Sequence, residues 1–232
     1  MKLIINADDY GYTSEICKGI RYGMLNGIIT STTVLTNCTI DTEDINKLKK
    51  IDNIGIGLHL NLTLEKPLTN GLTIQDSSGY FYDRKRLNFE SLDLNEVEKE
   101  FRAQIHQFIQ YFNQYPTHFD SHHSIHDHPR ILPITRKLMS EYQIPARRLS
   151  NITFVGNFFG SNATLTNLKE IILSNKSFEC VEVMTHAGYS DEELEKKSSY
   201  SNGREVELAI LTNQELIEFI KQEGIELTYY GK

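Results

Sequence analysis

Residues 54–62 read Ile54-Gly55-Ile56-Gly57-Leu58-His59-Leu60-Asn61-Leu62. Aliphatic side chains fill every second position, the period of a strand with one buried face. The other face is small at Gly55 and Gly57, then polar at His59 and Asn61. Polar residues therefore gather at the end of this strand. Upstream, Lys2–Ala7 is a short apolar run, and residues 28–36, rich in Ile, Thr and Val, form another strand. Between them, residues 14–26 carry Ile16, Ile20, Gly23 and Met24 at helical spacing, closed by Gly27. Residues 43–51 place Ile45, Leu48 and Ile51 on one helical face, with Thr42 as the expected N-cap. Downstream, Val97, Phe101, Ile105, Phe108 and Phe112 stripe a helix over 96–112, and Asn95 with Glu98 reads as its capping box. Strands at 117–121, 145–149, 179–184 and 225–230 alternate with helices near 131–142, 165–174 and 213–223. Segment 65–93 has neither period and reads as a functional or disordered loop. Alternating strand and helix predict a parallel α/β fold, either a barrel or a doubly wound sheet. No linker or repeat interrupts the chain, so a single domain over 1–232 is expected.

The chain has 232 residues, with 24 Lys and Arg against 31 Asp and Glu, a formal charge of -7. That balance argues against a general nucleic-acid or anionic-membrane surface. No stretch approaches the roughly 20 apolar residues of a membrane span. The apolar start, Met1 to Ile5, is too short for a secretory leader. Cys17, Cys38 and Cys180 form no disulfide framework. A soluble, cytoplasmic protein with neither nucleic acid nor membrane as partner is expected. Trp is absent, which leaves any sugar stacking to Tyr, Phe or His.

In parallel α/β folds, ligands gather beyond the carboxyl ends of the strands. Polar residues cluster there: Asp8-Asp9-Tyr10-Gly11, His59 and Asn61, Asp120-Ser121-His122-His123, Arg147-Arg148, and Thr185-His186. Each has a structural reading as well. Asp8-Asp9 before Tyr-Gly is also turn chemistry, a strand histidine is often a hydrogen-bonded core residue, and His186 is also a plain loop residue. As strand neighbours, Arg147 and Arg148 face opposite ways, so one of them faces the site. Five of the eight histidines, His118, His122, His123, His126 and His128, lie within eleven residues. Extended backbone puts His118, Asp120 and His122 on one face; a helix starting at His122 pairs it with His126 instead. Spacing alone leaves both open. The acidic stretch from Asp191 to Glu195 reads as a solvated loop or helix end. Taken together, one Asp with two His composes a catalytic metal site with open positions. A second Asp and a third His then remain for the base and acid of a hydrolysis.

The segments Asn6-Ala7-Asp8-Asp9-Tyr10-Gly11, Gly27 to Leu35, Gly57 to Thr63, Lys66-Pro67-Leu68-Thr69, Pro116 to His123 and Glu182 to His186 span nearly the whole chain in order. In them the sequence resembles the YdjC-like carbohydrate deacetylases, which include chitooligosaccharide deacetylases. It departs from the family's usual residues at Tyr10 (Phe), Ser124 (His) and Ala187 (Pro). The resemblance implies a distorted (β/α) barrel and one divalent metal ion, Mg2+ in the family. Two imidazole ligands are softer than magnesium prefers, which keeps Zn2+, Mn2+ and Co2+ as alternatives. By the same resemblance the metal ligands are Asp9, His59 and His122, Asp8 is the general base, and His186 is the general acid, acting as imidazolium. Arg147 orients base or substrate, and Asp120 fixes an imidazole; whether His126 also approaches the metal or substrate is left open. The implied activity is removal of an N-acetyl group from a sugar or oligosaccharide by a homodimeric enzyme. The competing readings are a sugar-binding or regulatory protein without turnover, and a metal-dependent phosphoesterase or sugar isomerase. The full Asp, Asp, His, His, His set argues against the first rival. The lack of a Gly-rich phosphate loop weighs against phosphate chemistry.

Overall fold

The computed structural model describes residues 1–232. Seven strands, β1 (Lys2–Tyr10), β2 (Ser31–Val34), β3 (Gly55–Leu60), β4 (Phe119–Ser121), β5 (Thr153–Val155), β6 (Cys180–Thr185) and β7 (Glu226–Leu227), form one sheet. Its order is β4-β3-β2-β1-β6-β5, and every strand pair in it is parallel. The two-residue β7 pairs with the start of β1 through Lys2 and Leu3. Eight α-helices connect and cover the strands: α1 (Ser14–Asn26), α2 (Thr42–Leu48), α3 (Leu94–Phe112), α4 (Leu132–Tyr142), α5 (Leu165–Ser174), α6 (Glu192–Lys197), α7 (Asn202–Leu211) and α8 (Gln214–Gln222). The sheet is curled and open, a half-barrel of the distorted (β/α) type. Its core is the apolar face of β3 (Ile56, Leu58, Leu60), the β1 residues Leu3 and Ile5, and the full α3 stripe from Val97 to Phe112, all buried. No helix is long and apolar enough to cross a membrane.

Several elements differ from the sequence reading, each for a local reason. The expected strand at 145–149 shrinks to one bridge between Ala146 and Phe119, because Arg148 takes φ +62 and ends the extended run. The chain then crosses the open side of the sheet between Arg147 and Ile152, and pairs with β6 from Thr153 onward. Helix α3 is capped by Asp93, whose side chain accepts from the Asn95 amide, rather than by an Asn95–Glu98 box. Asp41, not Thr42, stands at the N-cap of α2 and makes no side-chain cap bond. Helix α7 lies where no helix was expected.

Segment 65–93 is ordered mainly by side chains of α3. Glu100 accepts from the Leu68 and Thr69 amides at 3.0 and 2.8 Å. One helical turn earlier, Glu96 accepts from the Leu72 and Thr73 amides at 2.9 and 2.8 Å. The same helix reaches the end of β3: Gln104 bonds both the amide and the carbonyl of Asn61.

Candidate active site and metal centre

Adjacent residues on a regular strand point to opposite faces, yet Asp8 and Asp9 line the same pocket. The register of β1 against β2 shifts between Ala7 and Tyr10, and Asp9 takes φ +74. This bulge turns both carboxylates to the rim. Positive φ in a non-glycine residue costs on the order of 1–3 kcal/mol, and such strain is found where function requires it.

The two carboxylates have different partners. Both oxygens of Asp8 accept from Arg147, at 2.7 and 2.8 Å, and Oδ1 also accepts from Asn6 at 2.8 Å. Arg147 extends further, to Glu182 Oε1 through Nε at 2.8 Å and to Asp120 Oδ2 at 3.0 Å. One guanidinium thus ties carboxylates from β1, β4 and β6. Burial disfavours its charge, but Asp8, Glu182 and Asp120 outweigh this and hold its pKa well above the ordinary arginine value. Burial raises the Glu182 pKa against the pull of Arg147.

Asp9 has one oxygen held and one free. Oδ2 accepts from Arg204 of α7 at 2.8 Å. Oδ1 is buried and has no hydrogen-bond partner. It lies 3.2 Å from His59 Nε2, within ion-pair distance and with no hydrogen bond between them, so the two atoms converge on one side of the pocket. Burial works against the ionised Asp9, yet Arg204, His59 and His122 hold its pKa well below the usual carboxylate range.

His59 is oriented from behind, its Nδ1 lying 2.7 Å from Asp120 Oδ1 and 3.1 Å from Thr33 Oγ1. Burial opposes a charge on this ring, but the flanking Asp120 and Asp9 raise its pKa to about 10, so without a metal it is an imidazolium, and a divalent ion would have to displace its Nε2 proton to bind there. Its ring centroid lies 5.9 Å from that of His122. The His122 Nδ1 is 2.9 Å from Thr63 Oγ1, which leaves Nε2 without a protein partner. Burial drops the His122 pKa well below normal, so this ring is neutral and able to ligate.

Asp8, His59 and Asp120 form a buried Asp/His/Asp cluster, with ligand atoms all within 4.8 Å of one another, of a composition that binds a divalent metal. Within it both Asp8 oxygens already accept from Arg147, while Asp120 Oδ2 accepts from Thr33 beside Arg147 and Oδ1 faces His59 Nδ1. The donors without partners lie on the other side of His59, at Asp9 Oδ1, His59 Nε2 and His122 Nε2.

The remaining histidines sort by their contacts. His118 stacks on Tyr230 at 3.8 Å, and its Nε2 bonds Asn6. Burial lowers its pKa to about 3. His126 bonds Ser121 Oγ and the Arg147 carbonyl. These bonds leave neither ring nitrogen for a metal or substrate. His128 stacks on Phe89 at 3.6 Å. His123 meets the same Thr63 hydroxyl as His122, at 3.0 Å, because His123 and Ser124 both take positive φ. The 3₁₀ segment from His122 is therefore kinked, and His122 and His126 do not share a face. Gly57 leaves room for the pinned His118 ring: a Cβ there would overlap Cε1, Nδ1 and Nε2. Gly57→Ala is expected to cost about 1–3 kcal/mol of stability by overpacking, read as a lowered urea midpoint with an unchanged slope.

His186 lies across the pocket, its Nδ1 buried and without a partner. Burial, then Arg204, pushes its pKa below the ordinary histidine value, so at neutral pH the resting ring is an imidazole. Its backbone amide donates to Glu207 Oε2 at 2.6 Å, and the Tyr200 hydroxyl donates to Glu207 Oε1. Burial raises the Glu207 pKa to about 7, against those hydrogen bonds.

Asp8, Asp9, His59, His122, His123, Arg147, His186, Tyr200 and Arg204 line a pocket of about 420 Å³. Arg204, Glu207, Glu182, Tyr200 and Thr63 were not singled out from the sequence. Arg204 and Glu207 lie one turn apart on α7, a spacing that was there to be read.

A family model described as "YdjC-like protein" matches residues 2–222. A "Carbohydrate deacetylase" of Brevibacillus brevis is 35% identical over 100% of this chain and 99% of its own. Another, of Clostridium beijerinckii, is 34% identical over 98% of each. A crystal structure from Enterococcus faecalis, described as a putative cellobiose-phosphate cleavage protein, superposes with a TM-score of 0.91 at 30% identity, covering 99% of this chain and 97% of that one. The peptidoglycan deacetylase PdaC of Bacillus subtilis shares the fold, with a TM-score of 0.52 at 12% identity over 98% of this chain and 86% of its own.

Proposed function

The chain belongs to the YdjC-like family of carbohydrate deacetylases, and from that membership we propose that residues 1–232 act as one metal-dependent hydrolase domain. It removes an N-acetyl group from an acetylated sugar, releasing acetate and the amino sugar. The observation that carries the reading is the convergence of Asp9 Oδ1, which has no hydrogen-bond partner, and His59 Nε2, 3.2 Å away, beside the free nitrogen of His122. One carboxylate and two imidazoles suit a catalytic divalent ion with open positions. Magnesium follows from the family likeness, whereas the two nitrogens favour zinc, manganese or cobalt. The three free cysteines fit a reducing cytoplasm. A homodimer is the assembly that the family likeness implies.

Asp9, His59 and His122 would hold the divalent ion, which when bound would supply Lewis acidity to the acyl oxygen and acidity to water. Asp8 is the base: Arg147 fixes both its oxygens, and it takes a proton from the attacking water. Asp120 accepts from His59 Nδ1–H, which holds the tautomer whose Nε2 faces Asp9. Arg204 holds Asp9 by Oδ2 and so leaves Oδ1 free. His186 delivers the proton to the departing amine as the C–N bond breaks. Because its ring is neutral at rest, His186 takes up a proton from solvent before the C–N bond breaks, and the proton that Asp8 took from water returns to solvent afterwards, so the proton count is unchanged over the cycle.

A phosphorylated acetylated sugar is the second reading. An adjoining pocket of about 560 Å³ shares His122 and His123 with the site and is lined by Arg84 and Lys85 as well as Asp83. The relative from Enterococcus faecalis is described by a phosphorylated disaccharide. Acetate release from phosphorylated and unphosphorylated chitobiose-type sugars tests both readings. The absence of acetate from every such substrate overturns the proposed activity in favour of a non-catalytic sugar binder.

The histidine cluster gives a separate check. His122→Ala is expected to lose most of its bound metal while remaining folded. His123→Asn and His128→Asn should keep metal content near wild type, since His122 is the ring packed 5.9 Å from His59 and His128 is stacked on Phe89. Equal metal loss in all three variants, measured by elemental analysis, contradicts the ligand set.

A further inference from the structure

The pocket is lined mostly by charged and polar groups, but one lining residue is a large apolar ring. Phe159 is 48% exposed. It sits in the segment between β5 and α5, next to Phe158, which is fully buried. One aromatic anchors the segment and its neighbour is presented to the pocket. Gly160 follows at φ +60, and its amide donates to the Tyr200 hydroxyl at 2.9 Å. That bond pins the loop to the residue that also holds Glu207. The Phe159 centroid lies 6.4 Å from that of His186 and 6.3 Å from that of Tyr200, both in edge-on geometry.

We propose that Phe159 is the platform on which the sugar ring bearing the acetamido group stacks. This rests on the proposed deacetylation, and names the residue that selects a sugar for it. His186 must reach the nitrogen being released, and that nitrogen is bonded directly to the sugar ring. The ring therefore lies within one bond of the atom that His186 serves. An aromatic centroid 6.4 Å from His186 leaves room for a pyranose against it. The C–H groups of a pyranose face carry partial positive charge and meet the negative face of an aromatic ring. Stacking also covers apolar surface that otherwise stays wet. With no tryptophan in the chain, a partly exposed phenylalanine beside the donor is the flat surface in place for this task.

The test compares Phe159→Ala, Phe159→Leu and Phe159→Trp with wild type. Acetate release from a chitobiose-type disaccharide is measured, together with calorimetric binding of the deacetylated disaccharide to metal-free protein. Because the side chain is half exposed, thermal melts should be unchanged. The Ala and Leu variants should raise KM by about tenfold, the scale of one aromatic stacking contact, with kcat within about threefold. Trp should restore KM, and product binding should weaken in the same order. A Leu variant equal to wild type, or an unchanged KM in the Ala variant, overturns the platform while leaving the deacetylation standing. If wild type releases no acetate but its sugar binding still falls with Phe159→Ala, the platform stands and the reaction is overturned. No sugar binding by wild type overturns both.

Discussion

Arg147→Met is expected to destabilise the protein by about 3–5 kcal/mol, while Arg148→Met at the next position should change stability by less than about 1 kcal/mol. The first removes the cation that neutralises three fully or nearly fully buried carboxylates, Asp8, Asp120 and Glu182. Leaving buried charge uncompensated carries a penalty of that size. The second removes an arginine whose side chain is 41% exposed, pairs with Asp127 and lies over the Phe154 ring, exposed contacts of a kind worth about 0–1 kcal/mol. Arg147→Lys should recover only part of the loss, because an ammonium cannot reproduce the planar fork on Asp8 together with the Nε bond to Glu182. Urea denaturation of the three variants decides the matter. Equal effects at positions 147 and 148 would show that the guanidinium does not hold the network together.

The next largest effect separates the adjacent carboxylates. Asp8→Asn should retain metal and fall in turnover by about 10²–10⁴-fold, the usual range for losing a general base. An amide in that place cannot take the proton of water. Asp9→Asn should instead lose metal, since the free Oδ1 becomes part of a neutral amide and a poorer ligand. Each variant needs a melt alongside, because Asp8 pairs with Arg147 and Asp9 with Arg204. Near-normal turnover in Asp8→Asn, or full metal occupancy in Asp9→Asn, removes the corresponding role.

The elements that sequence made legible are those whose buried faces are purely apolar. The alternation of β3 and the α3 stripe from Val97 to Phe112 need no context to be read. Helix α7 was invisible for the opposite reason. Its buried positions are Arg204, Glu207, Leu208 and Leu211, a regular helical face, but half of that face is charged. A hydrophobic period cannot reveal a helix that buries charge toward a site. The strand expected at 145–149 failed because nothing local announces that Arg148 adopts positive φ. The ends of β1, β3, β4 and β6 were readable as a rim, since the rule for parallel α/β folds needs only strand order. What that rule could not tell is that a bulge turns Asp8 and Asp9 the same way. It also could not tell that His118 and His126 spend their nitrogens on Asn6, Ser121 and the Arg147 carbonyl.

The knot around Arg147 bears on how such a protein changes over generations. Asp8, Asp120 and Glu182 are held to the guanidinium by what folding demands, so selection for a folded chain alone preserves them. A descendant that abandoned catalysis would keep that quartet intact and look armed. Asp9, His122 and His186 have less protection: Asp9 is tied to Arg204 by one oxygen only, and each of the three leaves a polar atom unpaired that only chemistry would use. In comparing lineages, drift at those three positions, with the quartet unchanged, is the mark of a retired enzyme.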